Sequence, residues 1–337
     1  MIIGENMIPL KIRGSGIYRP KQLLLSSDLD KIMSKDIGWT ERNFGIISRG
    51  VADKNETSSY MAAEASKIAL KNAGWNAHDL DVIVGACAVM EQPIPSTSVL
   101  IQHKLGLGNS GISTFDINLT CLSFLSAFDV VSMGIACGNW KKALIVSSDI
   151  ASVGLDYTVP QTACLFGDGA AAVCVEAIPA PNASGILARR FETYGNAHAV
   201  GAVRAGGTKL RVEEGFDALV KGSRFEMNAF EIFKAGAKCL PTLTDRVLHD
   251  GGLTRDTVDL VVCHQASSSA IKHVRRMFPS NPDKVVNIFP TFGNQVAASL
   301  PTALSYALEN RLAQPGDHLL LLGVAAGVSA GAIVLRL

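Results

Sequence analysis

The chain has 337 residues, of which 48% are hydrophobic and 18% are charged, and its formal net charge is +1. This content of hydrophobic residues excludes a disordered chain. The balanced charge, without a strongly basic stretch, argues against a nucleic-acid-binding protein. The longest apolar run, residues 319–328, is too short to cross a bilayer, and residues 1–10 lack the basic start of a signal peptide, so we expect no membrane segment and no export.

Helix-like and strand-like segments alternate along the chain. Apolar residues recur at helical spacing over residues 58–73, and short apolar runs follow at residues 81–85, 143–146 and 260–262. Runs of this kind are typical of strands buried on both faces. The alternation predicts an α/β fold.

Three segments of the first half recur in the same order in the second half. The pairs are residues 80–84 with 258–262, 144–146 with 319–322, and 167–173 with 327–333. Chance similarity between apolar strands would explain any one pair, but three pairs in order favour a duplicated α/β unit. We therefore expect an N-terminal half at 1–180, a connecting region at 181–225 that is rich in Gly and charge, and a C-terminal half at 226–337.

The seven cysteines are widely separated, without a C-x-x-C motif or a zinc-finger spacing. We expect no metal site, and most of the cysteines should be buried thiols in a reducing cytoplasm. Cys121 differs, because it lies between a strand-like run at 115–117 and a helical pattern that begins with Leu122. The N-terminus of a helix favours a thiolate, the form that attacks thioesters. A buried structural cysteine is the alternative.

Two polar residues follow strand-like runs in the second half. His264 comes after residues 260–262, at the end of a strand where open α/β sheets place their sites, and is the candidate acid–base or hydrogen-bonding group. Asn294 follows residues 285–288 and would alone be interpreted as a helix cap. The small residues of 323–331 suit a close backbone approach or a tight turn.

Together these segments resemble a known family. The patterns N-x-T-C-x-x-F around Cys121, C-H-Q-A-S around His264, F-G-N-Q-x-A-A-S around Asn294 and G-V-A-A-G-V-S-A-G near the end are similar to the thiolase superfamily, specifically to beta-ketoacyl-acyl-carrier-protein synthase III. The resemblance covers nearly the whole chain. It implies a thiolase-like five-layered α-β-α-β-α fold from two duplicated halves, usually assembled as a homodimer.

The resemblance also implies an acyltransferase that performs a decarboxylative Claisen condensation. Cys121 would take an acyl group from a thioester, and His264 and Asn294 would donate hydrogen bonds to a malonyl-type thioester as it loses CO2. Backbone N–H groups of Cys121 and Gly327 would hold the oxyanion. No permanently bound cofactor is implied, because acyl-CoA or phosphopantetheine-linked thioesters are the substrates.

Several positions depart from the family pattern. Trp39 matches a family tryptophan at the coenzyme A site, but Asn43 and Val153 stand where two arginines are usual, Phe230 replaces an asparagine, and Ser267 begins a changed stretch after the histidine motif. Asn or Val does not replace a bidentate phosphate-binding arginine. These changes favour a specialised relative of the fatty-acid initiation enzyme, in secondary metabolism or a cofactor pathway, with a different acyl donor such as a protein-bound one.

Further roles come from the resemblance. Ile94 matches a position that reaches into the partner subunit's acyl pocket, and its size predicts a donor longer or bulkier than acetyl. The expected substrate-binding residues are Trp39, Ile94, Phe166, Phe230 and Ser267. The expected docking residues for an acidic acyl carrier protein, which could equally form a solvated helix face, are Lys234, Lys272, Arg275 and Arg276.

Two other functions stay open at this point. Some relatives move the acyl group from cysteine to an alcohol or amine, in which case His264 would be the base, and others are catalytically silent binding subunits. The presence of Asn294 and the complete Cys–His–Asn set favour condensation. Residues 167–172 fit a dinucleotide-binding pattern only formally, because a strand-like run follows instead of a helix, so a nicotinamide enzyme is not supported.

Overall fold

The computed structural model describes residues 7–179 and 184–337. Residues 1–6 and the expected boundary between residues 180 and 181 lie outside this part of the chain. Within it, no helix is both long and apolar enough to cross a membrane. The strands are β1 (Ile8–Tyr18), β2 (Gln22–Leu25), β3 (Ser48–Val51), β4 (Val82–Gly85), β5 (Ser113–Asp116), β6 (Lys142–Asp149), β7 (Gly169–Ala177), β8 (Gly185–Thr193), β9 (Gly201–Ala202), β10 (Glu226–Met227), β11 (Leu260–Cys263), β12 (His318–Ala325) and β13 (Ser329–Arg336). The helices are α1 (Ser26–Ile32), α2 (Trp39–Phe44), α3 (Ser58–Ala73), α4 (Thr97–Lys104), α5 (Ser123–Ala136), α6 (Pro160–Ala163), α7 (Phe216–Gly222), α8 (Ala229–Asp250), α9 (Ser268–Arg276), α10 (Phe289–Phe292) and α11 (Ser299–Glu309).

The main sheet has the same strand order in its two halves. Its full order is β11-β12-β13-β8-β1-β7-β6-β4-β5. The strands that follow β1 in the first half and those that follow β8 in the second half take up equivalent positions in the same sequence. The place of β5 beside β4 is taken in the second half by a single bridge between Val285 and Val261. The halves join where Ile8 pairs with Ile186 on β8. The predicted α/β fold from two similar halves is confirmed.

Helices form three layers around the two halves of the sheet. Phe124 and Phe128 of α5 and Leu300 and Leu304 of α11 are fully buried in one central apolar cluster with strands of both halves. Helices α3 and α4 cover the outer face of the first half, and α8 and α9 cover that of the second. Because both faces of each half are covered, the strands are apolar on both sides, as the sequence indicates.

A close approach between α3 and β1 depends on glycine. A Cβ atom at Gly16 would lie 2.5 Å from the carbonyl oxygen of Ala65 and 2.7 Å from the backbone nitrogen of Ala69. Both obstructing atoms belong to the backbone of α3. The outer helix can therefore pack directly on the strand only while residue 16 has no side chain.

Two expectations differ from the structure. The predicted strand at residues 285–288 is reduced to the Val285 bridge, because a 3₁₀ turn ends at Lys284 and α10 begins at Phe289 with Pro290 in its first turn. The region 181–225 contains β8, which occupies in the second half the place that β1 has in the first. We propose that the second half begins before β8 and not at residue 226.

Candidate active site

Cys121 lies in a tight turn between β5 and α5. The turn is fixed locally, since Thr120 has a φ of 48° and its N–H donates to the side-chain oxygen of Asn118 at 2.9 Å. The hydroxyl of Ser123 accepts the N–H of Leu119 at 2.9 Å and donates to the carbonyl of Thr120 at 2.7 Å. These bonds fix the turn that carries the half-buried Cys121, two residues before α5 begins.

The surroundings of Cys121 favour the thiol. Its pKa is raised to about 12, first by burial and then by the carboxyl of Asp149, although the backbone N–H groups of Cys121 and Ala326 lower it. The expectation of a resting thiolate is therefore corrected, because two N–H groups do not offset burial beside an acid. The proton must leave as the sulfur attacks.

His264 is a buried, neutral imidazole. The backbone N–H of His264 donates to the carbonyl of Leu322 at 2.9 Å, which fixes the residue at the end of β11 beside β12. Burial lowers the pKa of His264 to about 4, so the ring carries no charge near pH 7. Nδ1 of the ring is buried and makes no hydrogen bond to the residues that the structure describes.

Gly323 brings His264 close to the Cys121 turn. A Cβ atom at residue 323 would lie 2.8 Å from Cβ of His264 and 2.9 Å from the side chain of Leu122. Gly323 on β12 therefore permits a close approach, as the sequence predicts, and the residue that approaches it is His264. The histidine and the residue after the cysteine pack on one glycine.

Asn294 joins two loops of the site. Its side-chain oxygen accepts the N–H of Val296 at 2.9 Å, and its amide nitrogen donates to the carbonyl of Ala266 at 3.3 Å. Its own N–H donates to the carbonyl of Leu165 at 2.8 Å. The residue thus begins a 3₁₀ turn that precedes α11 and does not cap that helix.

Backbone contacts place the predicted residues on adjoining segments. The hydroxyl of Thr120 donates to the carbonyl of Ala326 at 3.3 Å, which connects the cysteine turn with the loop after β12. Gly327 follows in that loop, and its role as an oxyanion donor stays a prediction. Since Asn294 is bonded to the residue two positions after His264, all three candidates lie at one end of the sheet.

The expected substrate-binding residues lie in different settings. Phe166 is beside Asn294, with which it forms a β-bridge, and its ring packs edge-on against Phe225 at 5.3 Å between centroids. The hydroxyl of Ser267 accepts the N–H of Ala270 at 3.1 Å and thereby caps α9. Ser267 therefore has a local structural role, and its contact with substrate stays a prediction.

Trp39 opens α2 and is tied to α9. Its ring lies 5.6 Å from that of Phe44, and the ammonium of Lys35 lies 5.3 Å from its centre. The hydroxyl of Ser268 donates to the carbonyl of Phe44 at 2.8 Å. The expected coenzyme-binding tryptophan and the start of the basic helix therefore form one unit.

Two of the expected residues are strongly exposed. Ile94 is 85% exposed in the loop before α4, and Phe230 is 69% exposed at the start of α8. Phe233, one turn further along α8, packs against His273 of α9 at 5.9 Å between ring centroids. Three of the four expected docking residues are exposed on α8 and α9, and the fourth is half-buried: Lys234, Lys272, Arg276 and, half-buried, Arg275.

Asp149 is a functional candidate that the sequence analysis missed. It ends β6, is fully buried, and accepts the N–H groups of Ala88 and Val89 at 2.9 Å each and that of Ala297 at 3.0 Å. Burial raises the pKa of Asp149 to about 7. An acid at the carboxyl end of an apolar strand was the available signal, because sheets of this class place their sites at such ends.

Two family models and a bacterial relative that match this chain carry the same description. The family model 3-oxoacyl-[acyl-carrier-protein (ACP)] synthase III matches residues 115–195, and the model of its C-terminal part matches residues 248–337. The beta-ketoacyl-[acyl-carrier-protein] synthase III 1 of Bacillus cereus is 33% identical over 325 residues, which are 96% of this chain and 98% of that protein.

Solved structures have the same fold. The 3-oxoacyl-[acyl-carrier-protein] synthase III from Aquifex aeolicus VF5 is 31% identical with a TM-score of 0.87, covering 97% of this chain and 100% of that one. The priming beta-ketosynthase from the R1128 polyketide biosynthetic pathway has a TM-score of 0.88 at 24% identity, over 100% of this chain and 98% of that one. At that identity the second likeness shows the fold alone.

Proposed function

Because this chain belongs to the 3-oxoacyl-[acyl-carrier-protein] synthase III family of condensing acyltransferases, we propose that it joins an acyl group carried on Cys121 to a malonyl-type thioester by decarboxylative Claisen condensation. The roles of these residues are supported by one observation, which is that three segments of the chain meet. The turn of Cys121, the loop of His264 and the turn of Asn294 are bonded or packed to each other at one end of the sheet.

Acylation is the first step. The Cys121 sulfur attacks the carbonyl carbon of the donor thioester, the new carbon–sulfur bond forms, and the donor's own carbon–sulfur bond breaks. The thiol proton ends on the departing thiol, and the neutral imidazole of His264, which packs close to the Cys121 turn, supports a route through that ring. Backbone N–H groups of Cys121 and Gly327 would hold the oxyanion, and one such donor contributes about 3–4 kcal/mol in acyl-transfer sites.

Condensation is the second step. The malonyl thioester loses CO2, and the electron pair of the broken bond passes into an enolate whose oxygen accepts hydrogen bonds from His264 and Asn294. A neutral imidazole donates from one nitrogen, and one amide hydrogen of Asn294 remains beyond the bond to Ala266. The enolate carbon then attacks the acyl carbonyl carbon, the bond to the Cys121 sulfur breaks, and the released thiolate takes up one proton from water.

We propose a donor that is longer than acetyl and is delivered on a carrier protein. Val153, at a position where the family has arginine, is 81% exposed, and the neighbouring Arg224 is already paired with Asp156. Residue 153 therefore supplies no guanidinium to a phosphate of coenzyme A, which favours a carrier-bound donor. The basic end of α9, with Arg276, supports docking of an acidic acyl carrier protein.

The remaining parts of the proposal concern the setting of the enzyme. We place it in secondary metabolism or a cofactor pathway because of these departures. We propose a homodimer in which the exposed Ile94 enters the acyl pocket of the second copy, since an isolated apolar side chain at 85% exposure gains stability from burial. The cytoplasm is the proposed location, supported by seven cysteines with free thiols.

A panel of acyl thioesters tests the reaction. We would incubate the protein with acyl-CoA and acyl-carrier-protein donors of increasing chain length, detect acyl-Cys121 by intact mass, and then measure CO2 release from malonyl-carrier protein. Cys121→Ser should prevent stable acylation, and Asn294→Ala should leave acylation in place while CO2 release falls by at least a hundredfold. Acylation followed by an ester or amide product, without CO2, would overturn condensation.

Charge reversal on α9 tests the carrier. Arg276→Glu should raise the KM for a carrier-bound donor at least tenfold while the same acyl group on coenzyme A reacts at an unchanged rate. Lys71→Glu, an exposed reversal on α3 in the other half, is the matched control. Equal losses with both donors would exclude docking at this helix.

A further inference from the structure

The buried carboxyl of Asp149 lies between the two turns that carry the proposed catalytic groups. It ends β6 in the middle of the first half of the sheet and has no exposed surface. Its two oxygens face different segments. Oδ1 accepts two N–H groups from the loop after β4, and Oδ2 accepts one from the turn before α11.

The first side of this carboxyl leads to the cysteine. Oδ1 accepts the N–H of Ala88, and the carbonyl of Ala88 accepts the side-chain N–H of Asn118 at 2.9 Å. The other end of the Asn118 amide accepts the N–H of Thr120, directly before Cys121. One continuous chain of hydrogen bonds thus runs from Asp149 to the turn that holds the sulfur.

The second side leads to the asparagine. Oδ2 accepts the N–H of Ala297 at 3.0 Å, and Ala297 follows Val296, whose N–H donates to the side chain of Asn294. The 3₁₀ turn is held at two points, because Asn294 fixes its start and Asp149 fixes its middle. The carboxyl therefore connects the groups proposed for the two half-reactions.

The fold itself does not require an acid at this place. The strand order repeats, and β12 is the counterpart of β6 in the second half. β12 ends at Ala325, where β6 ends at Asp149. Since the same architecture is completed with alanine in one copy, the buried carboxyl in the other copy serves something beyond closing the strand.

We propose that Asp149 is a positioning residue, whose carboxylate holds the Asn294 turn against the Cys121 turn so that the enolate forms within reach of the acyl group. This inference rests on the proposed condensation. In the ionised form of Asp149, all three described N–H donors point at oxygens that only accept, so a group with an N–H or O–H on either side would face one of them donor to donor.

The substitution Asp149→Asn separates the two sides. Its one remaining oxygen can keep the two bonds to Ala88 and Val89 or the single bond to Ala297, and two bonds outweigh one. The amide NH2 then faces Ala297 and displaces the Asn294 turn. We expect CO2 release and condensation to fall at least tenfold, while acylation of Cys121 stays within about threefold of wild type.

Two further variants make the test decisive. Asp149→Ala removes both sides, so acylation and condensation should both slow. Asp116→Asn is the matched control, because Asp116 accepts the N–H groups of Thr97 and Ser98 at 2.8 Å each and caps α4 without touching either turn. It should change neither half-reaction per folded molecule, with folding measured by urea denaturation.

The outcomes distinguish this inference from the proposed function. If wild type neither acylates nor releases CO2, the proposed function itself fails. If wild type condenses and folded Asp149→Asn condenses within twofold of it, or loses both half-reactions in equal proportion, the positioning role is overturned. A selective loss of the second half-reaction supports it.

Discussion

Adding one methyl group at Gly323 should separate His264 from the Cys121 turn. In Gly323→Ala the new Cβ would lie 2.8 Å from Cβ of His264 and 2.9 Å from the Leu122 side chain, against 3.4 Å or more for ordinary contact. Neither neighbour can swing aside into open space, because His264 and Leu122 are both buried. Each neighbour must therefore move away from the new atom by about 0.5–0.6 Å.

The expected size of the effect follows from this displacement. Insertion of a methyl group into a packed interior usually costs about 1–3 kcal/mol of folding free energy. A misplacement approaching 1 Å can cost about a hundredfold in rate, so we expect kcat for condensation to fall about ten- to a hundredfold. Binding of the donor should change less, since the methyl group lies between the catalytic segments.

Steady-state condensation and urea denaturation should be measured on the same preparations. Gly207→Ala is the matched control, because a Cβ atom there meets nothing within 4 Å and the backbone is not left-handed. The control should keep wild-type rate and stability. A folded Gly323→Ala protein with unchanged kcat would refute the argument that this glycine sets the spacing of the site.

Two other predictions concern stability. Burial lowers the pKa of His264 to about 4 from the ordinary 6.5, so the neutral form is favoured by folding, and the stability it contributes is complete above pH 6.5 and is lost as the pH falls toward 4. Between pH 7 and pH 4.5, the unfolding free energy of His264→Gln should therefore rise relative to that of wild type by up to about 3 kcal/mol. A difference that stays constant over this pH range would contradict the prediction. The raised pKa of Asp149 acts in the opposite direction, but it does so in both proteins and drops out of the comparison. Gly16→Ala should destabilise by at least about 2 kcal/mol because the atoms it meets are backbone, whereas Gly195→Ala, with nothing within 4 Å, should leave the melting temperature unchanged.

Much of the fold was predictable because local signals agreed with the global packing. Helix α3 has the predicted bounds, since its apolar spacing is regular and Gly74 ends it in a left-handed conformation. Strand β8 escaped prediction because it contains charged residues in the middle of the sheet. Two of them, Arg189 and Arg190, reach out to Asp129 and Asp250 at 2.6 and 2.7 Å, and this pairing is not visible in the local pattern.

The site was predictable only in part. Cys121 and His264 stand in recognisable motifs after strands, Asn294 stands in one after the short helix α10, and the structure brings their segments together. Asp149 could not be assigned a role, because its partner Ala297 is 148 residues away in sequence. The protonation state of Cys121 could not be predicted from its own segment either. Burial and Asp149, which is far away in sequence, raise the pKa of the thiol more than the nearby backbone N–H groups lower it.

The repeated strand order has a consequence for how the two copies have diverged. β4 and β11 are counterparts, so Ala86, directly after β4, corresponds to His264, directly after β11. The imidazole is present in one copy and the buried acid in the other, and the counterpart position of each is an alanine. The proposed reaction would therefore need both halves of the chain together, because each half contributes a polar group where its counterpart has alanine.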